Sequence, residues 1–197
     1  MKRFWPAYLI ALAILPFPVS AASVKSVYPR LANYFLRWEI TDSEAVELAK
    51  WDLLIVDMEA QENSRRELLK IRQLNPDIII LAYLTSQEIL DGADNYNNAY
   101  LRQELAAGIS DGWWLRDSSG RKVSNWPYTA MLNLSDGADP DGTGKRFNDY
   151  LPEFVADTLQ ASGLWDGVFY DNAWGDVSWV NSPDLDLDND GRAEAAA

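Results

Sequence analysis

The sequence contains no cysteine and no histidine among its 197 residues. These absences exclude disulfide scaffolds, Cys/His zinc sites, Ser-His-Asp triads and Cys-His pairs. Positive charge is scarce as well: 17 Lys and Arg stand against 30 Asp and Glu, a net charge of -13. A chain this acidic repels phosphate backbones, so nucleic acid is not expected as a partner. Chemistry is left to carboxylates, amides, hydroxyls, lysine and arginine, or to a bound hard metal. Hydrophobic residues make up 48% and aromatics 12%. That is enough to fill the core of one domain and too rich for a disordered chain.

The first residues read as a targeting segment. Lys2 and Arg3 precede an apolar stretch from Phe4 to Phe17, broken by Pro6 and Pro16. Val19 and Ala21 occupy the -3 and -1 positions of a small-residue cleavage site. The stretch is short for a membrane span, which needs about 20 apolar residues. An uncleaved N-terminal anchor is the alternative. The expectation is a signal peptide at residues 1–21, a domain from residue 22 onward, and a secreted or periplasmic/extracellular location. No stable membrane insertion is expected after cleavage.

Beyond that segment, strand and helix signals alternate. Apolar runs at residues 33–38, 53–57, 78–84, 130–134 and 167–171 predict five sheet strands. Thr41 and Glu44 have capping-box spacing ahead of a helix over residues 43–50, and Ser64 and Glu67 repeat the pattern. Leu68, Ile71 and Leu74 fall on one face of the helix that follows, which stops at Asn75 and Pro76. Another helix is expected over residues 100–107, closed by Gly108. Phe147, Leu151, Phe154, Val155 and Leu159 share one helical face, with Gly163 just past the end. Residues 113–116 and 122–124 flank a turn and predict a hairpin insertion. Alternating βα units predict an α/β fold with a parallel sheet of the (β/α) TIM-barrel type. An eight-fold barrel takes about 250 residues. The expectation is therefore an incomplete barrel, truncated at its C-terminus, of about five of eight units. A small complete open sheet is the competing architecture.

The acids fall at strand ends. Asp57 and Glu59 end the second apolar run, Glu88 follows the third, and Asp171 ends the last, with Asn172 after it. The fourth run ends in Asn133. In parallel barrels the strand C-termini converge on one mouth, where active sites lie. Carboxylates gathered there shift one another's protonation, the condition for acid/base work without histidine. Glycoside hydrolysis needs two carboxylates and nothing else. Each acid also has a structural explanation, because a strand-end Asp or Glu often caps the next helix; Asp171 is the sharpest candidate. Trp174 and Trp179 follow Asp171 on the same expected mouth loop, and flat rings suit the apolar faces of sugars.

Asp186, Asp188 and Asp190, then Gly191 and Glu194, match the first nine places of a calcium loop. The bidentate Glu of the twelfth place is missing, because Ala197 stands there. Asp186, Asp188, Asp190 and Glu194 are thus expected ligands of a structural calcium, with no cofactor required for catalysis. A solvated acidic turn is the alternative.

Several segments together resemble a known family: Asn33-Tyr34-Phe35, Val56-Asp57-Met58-Glu59, Leu81-Ala82-Tyr83-Leu84 with Glu88, Met131-Leu132-Asn133-Leu134, and above all Asp166-Gly167-Val168-Phe169-Tyr170-Asp171-Asn172. The chain resembles hypothetical glycosyl hydrolase family 15, a group related to endo-α-1,4-polygalactosaminidase-like TIM barrels. The likeness spans roughly residues 28–194. It implies a TIM barrel, a secreted or surface role in cleaving polysaccharide, and a catalytic carboxylate at Asp171. Glu88 matches an acid after the third strand. In the reading that follows, Asp171 is nucleophile or base, and Glu88 or Asp57 is proton donor or substrate positioner. Tyr83, Asn133, Asn172, Trp174 and Glu59 bind substrate, a polysaccharide or oligosaccharide. The competing functions are a non-catalytic glycan-binding protein and a metal-dependent hydrolase using the carboxylate cluster.

Overall fold

The structure is a computed structural model and describes residues 28–181 and 184–194. The expected signal peptide, residues 1–21, lies outside the described residues. Strands β1 (Ala32–Phe35), β2 (Leu53–Asp57), β3 (Ile79–Thr85), β4 (Glu88–Leu90), β5 (Thr129–Met131) and β6 (Gly167–Asp171) alternate with helices. The helices are α1 (Asp42–Leu48), α2 (Ala60–Asn63), α3 (Arg65–Leu74), α4 (Tyr100–Ala107), α5 (Phe147–Phe154) and α6 (Ser178–Asn181). Among the described residues no helix is long and apolar enough to cross a membrane.

Four strands form one parallel sheet in the order β1-β2-β3-β6. The register brings Asp57 beside Tyr83, Tyr83 beside Phe169 and Thr85 beside Asp171. Because side chains alternate across a strand, each strand presents two unlike faces. Leu54, Val56, Ile80, Ala82 and Leu84 point into the helices and are fully buried, in one core with Leu48, Leu68, Ile71, Phe147 and Leu159. Tyr34, Ile55, Leu81, Tyr83, Phe169 and Asp171 share the opposite face and remain partly open. This second face positions the candidate site.

The local signals held in several places. Thr41 accepts from the Glu44 amide while Glu44 accepts from the Thr41 amide, so the first capping box forms and starts α1. Helix α4 runs over the expected residues and ends at Gly108. Phe147, Leu151, Phe154, Val155 and Leu159 are all buried, although the helix loosens into a π turn at Val155–Leu159. Gly163 follows at a φ of 70°, where glycine is unstrained.

Three expectations are corrected. The second capping box is absent, because the Ser64 hydroxyl accepts from the Ile40 amide instead (2.8 Å). Leu74 is exposed rather than packed with Leu68 and Ile71, since α3 ends there. Residues 130–134 do not join the parallel sheet: β5 pairs antiparallel with β4, and β3 lies directly beside β6. The reason is a separate small layer. Leu115, Val123 and Met131 exchange backbone hydrogen bonds, and their side chains form a satellite core with Leu185. The parallel sheet therefore has four strands where five were expected, and among the described residues its outer strands β1 and β6 leave it open.

Candidate active site at the strand ends

Asp171 is the last residue of β6, partly exposed on the open face. The Tyr83 hydroxyl donates to its Oδ2 at 2.8 Å, and the Tyr34 hydroxyl lies 3.5 Å from the same oxygen. The Asn172 amide donates to Oδ1 at 2.8 Å. Tyr34, Tyr83 and Phe169 pack around it, Tyr34 edge-on to both other rings and Tyr83 stacked with Phe169. Burial, then the hydrogen bond to Asp171 and its charge, push the Tyr83 phenol far above its ordinary value. Partial burial and Asp171 also raise Tyr34, against an opposing contribution from Tyr83. Both phenols therefore stay protonated and able to donate at any ordinary pH.

Asn172 links this acid to Glu88. Its φ of 57° is in the left-handed region, which Asn tolerates better than most residues. That turn lets the Asn172 side-chain amide donate to Glu88 Oε1. The Thr129 hydroxyl lies 2.9 Å from Glu88 Oε2. Glu88 is 3% exposed and opens β4, anchored through the Thr85 hydroxyl, which donates to its carbonyl. Gln87 holds the loop after β6 by pairing its side-chain amide with the Trp174 backbone in both directions (2.6 and 3.0 Å). Asp171, Glu88, Asn172 and Tyr83 are thus brought together, and among the described residues every group hydrogen-bonded to the two carboxylates is neutral.

Asp57 and Glu59 are placed differently. Arg102 donates to both Asp57 oxygens at 2.8 and 2.7 Å, a bidentate pair, and stacks over the Trp38 ring at 4.7 Å. Asp57 is 2% exposed and Glu59 0%. Glu59 accepts the amides of Leu101 and Arg102 at 3.0 and 2.8 Å, capping the start of α4 from a different element. Burial raises the Glu59 carboxyl, partly offset by those amides and by Arg102. Burial opposes the Arg102 charge, but Asp57 and then Glu59 outweigh it and raise the guanidinium. These two acids hold α4 against β2 and are buried from solvent.

Asn133 is likewise occupied. It is buried, donates to the Leu187 carbonyl at 2.7 Å and accepts from the Ser135 amide and hydroxyl. Trp174 packs edge-on against Trp179 (5.1 Å) and against the satellite core. Asn133 thereby fastens the acidic loop, in which Asp186, Asp188, Asp190 and Glu194 each bring one oxygen within 4.8 Å of the others. Among the described residues this is the one group of acids with metal-site spacing; the strand-end acids do not form one. Sequence reasoning missed Tyr34 and Thr129 as partners of the site acids. Tyr34 lies 137 residues from Asp171, and no local pattern joins them.

Asp171 thus stands at the C-terminal end of a parallel strand beside aromatic rings, and Asn172 links it to Glu88 at the start of the antiparallel strand β4. The profile of hypothetical glycosyl hydrolase family 15 matches residues 72–197, and the chain belongs to that family. The matched region contains Tyr83, Glu88, Asn133, Asp171, Asn172 and the acidic loop; Tyr34, Asp57 and Glu59 precede it. No curated protein matches the sequence. Among solved structures the chain is similar to the glycoside hydrolase domain of PelA from Pseudomonas aeruginosa, at 18% identity and a TM-score of 0.44 over 72% of this chain. A variant of that domain aligns at 18% identity with a TM-score of 0.43 over 71%. The chain spans 44% and 43% of the lengths of those two solved chains.

Proposed function

We propose that the chain cleaves O-glycosidic bonds of a polysaccharide or oligosaccharide, as a secreted or periplasmic protein. The observation that carries this reading is Asp171: a strand-end carboxylate on the open face, held by the Tyr83 hydroxyl with the Tyr34 hydroxyl 3.5 Å away, and by no cation among the described residues. Asp171 is the nucleophile or base. Glu88, one amide away through Asn172, is the proton donor or the group that positions the leaving sugar. Asp57 has no part in the chemistry, because Arg102 takes both of its oxygens. The four parallel strands are read as an arc of a (β/α) barrel, with Tyr34, Tyr83 and Phe169 on its inner face. The test is release of reducing ends from glycans. Asp171→Asn should lower turnover by roughly 10²–10⁴-fold with the fold intact. Undiminished turnover would remove Asp171 from its role. Retention of glycan by wild type without product would instead establish a binding protein.

We also propose the acidic loop as a structural calcium site, supported by the convergence of Asp186, Asp188, Asp190 and Glu194 on one point. Calcium should raise the melting temperature and chelator should lower it, with turnover at low temperature unchanged. A melting temperature indifferent to calcium would contradict this.

A further inference from the structure

We propose that the turn at Trp126, Pro127 and Tyr128 is a sugar-binding platform next to Glu88, stacking a pyranose ring of the substrate on exposed aromatic faces. The proposal rests on the glycoside hydrolase reading and adds a subsite to it. The Thr129 amide donates to the Trp126 carbonyl at 3.1 Å, closing a four-residue turn with Pro127 second and Tyr128 third. Tyr128 has a φ of 66°, so this is the turn type whose third position favours glycine. A tyrosine therefore stands where the backbone would prefer no side chain, and its ring gains no burial in return: Tyr128 is 78% exposed and Trp126 66%. Strain kept without any packing benefit points to a use outside the fold.

The turn is firmly held although its rings are free. The Ser124 and Thr129 hydroxyls lie 2.9 and 2.7 Å from the Trp126 carbonyl oxygen, and the Asp91 amide donates to the Tyr128 carbonyl at 2.8 Å. It is also continuous with the catalytic pair, because the single Thr129 hydroxyl proton is shared between the Trp126 carbonyl at 2.7 Å and Glu88 Oε2 at 2.9 Å. Exposed aromatic rings on a turn whose backbone is already fixed suit the apolar face of a sugar ring, since little backbone ordering cost remains on the protein side.

The test uses an array of neutral, acidic and amino-sugar oligosaccharides, read in the Asp171→Asn background so that no ligand is consumed. Tyr128→Gly and Trp126→Ala should each weaken binding of the best ligand about tenfold, a loss of about 1.4 kcal/mol. Tyr128→Gly should keep or raise the melting temperature, because glycine adopts this φ freely. Weakened binding with an undisturbed melt supports the platform. Unchanged affinity in both variants, in a protein that binds and cleaves glycan, overturns the platform alone. Wild type that neither retains nor cleaves any glycan overturns the hydrolase reading and the platform with it.

Discussion

Two pairs of acids stand at the ends of neighbouring strands, and they differ in what faces them. Asp57 and Glu59 meet a guanidinium and the start of a helix, and they are sealed. Asp171 and Glu88 meet phenols, an amide and an alcohol; Glu88 is as buried as the first pair, and Asp171 is open. A cation cancels the charge and fixes the geometry, which makes a structural clamp. Neutral donors fix the geometry and leave the charge in place, which makes a group that can still react. Strand-end position alone does not distinguish the two; the partner does.

The largest effect on this contrast should come from removing the cation. Arg102→Met leaves two buried carboxylates uncompensated and should cost about 3–5 kcal/mol of stability in a denaturant titration. A loss below about 1 kcal/mol, the range of exposed pairs, would mean that the clamp contributes little. A smaller effect is expected when a neutral donor is removed. Tyr83→Phe deletes the hydroxyl 2.8 Å from Asp171 and should lower kcat about tenfold or more, given 1.5–3 kcal/mol for a hydrogen bond to a charged group. Its melting temperature should barely change, and Tyr34→Phe, at 3.5 Å, should do less. Equal activity in wild type and Tyr83→Phe would show that the phenol only fills space.

The smallest effect concerns an acid outside both pairs. The Ser119 hydroxyl, then Arg121, outweigh desolvation and hold Asp117 at about 2, below its ordinary 3.8. With the folded-state value depressed, its contribution is full above 3.8 and is lost as pH falls through about 2. Thermal melts from pH 5 downward should show that loss in wild type and a flatter profile in Asp117→Asn. Identical profiles would remove Asp117 as a contributor.

The sequence carried those parts of the fold that depend on neighbours in the chain. The Thr41–Glu44 box, the Tyr100–Ala107 helix and the buried face from Phe147 to Leu159 are all local patterns. Residues 130–134 misled because an apolar run reads alike in a parallel sheet and in a small antiparallel layer; the choice was made by Leu115 and Val123. Ser64 misled because its hydroxyl is claimed by Ile40, 24 residues away. The acids were all visible, but Asp57 could not be separated from Asp171. The deciding Arg102 lies 45 residues from Asp57, and Tyr83 lies 88 residues from Asp171.

The most direct test sets the two aspartates side by side, with Asp57→Asn and Asp171→Asn assayed for reducing-end release per folded molecule and for melting temperature. The expected result is a crossed pattern: Asp57→Asn melts lower and still turns over, while Asp171→Asn melts near wild type and loses roughly 10²–10⁴-fold in turnover. Loss of turnover in folded Asp57→Asn, or full turnover in Asp171→Asn, would contradict the account.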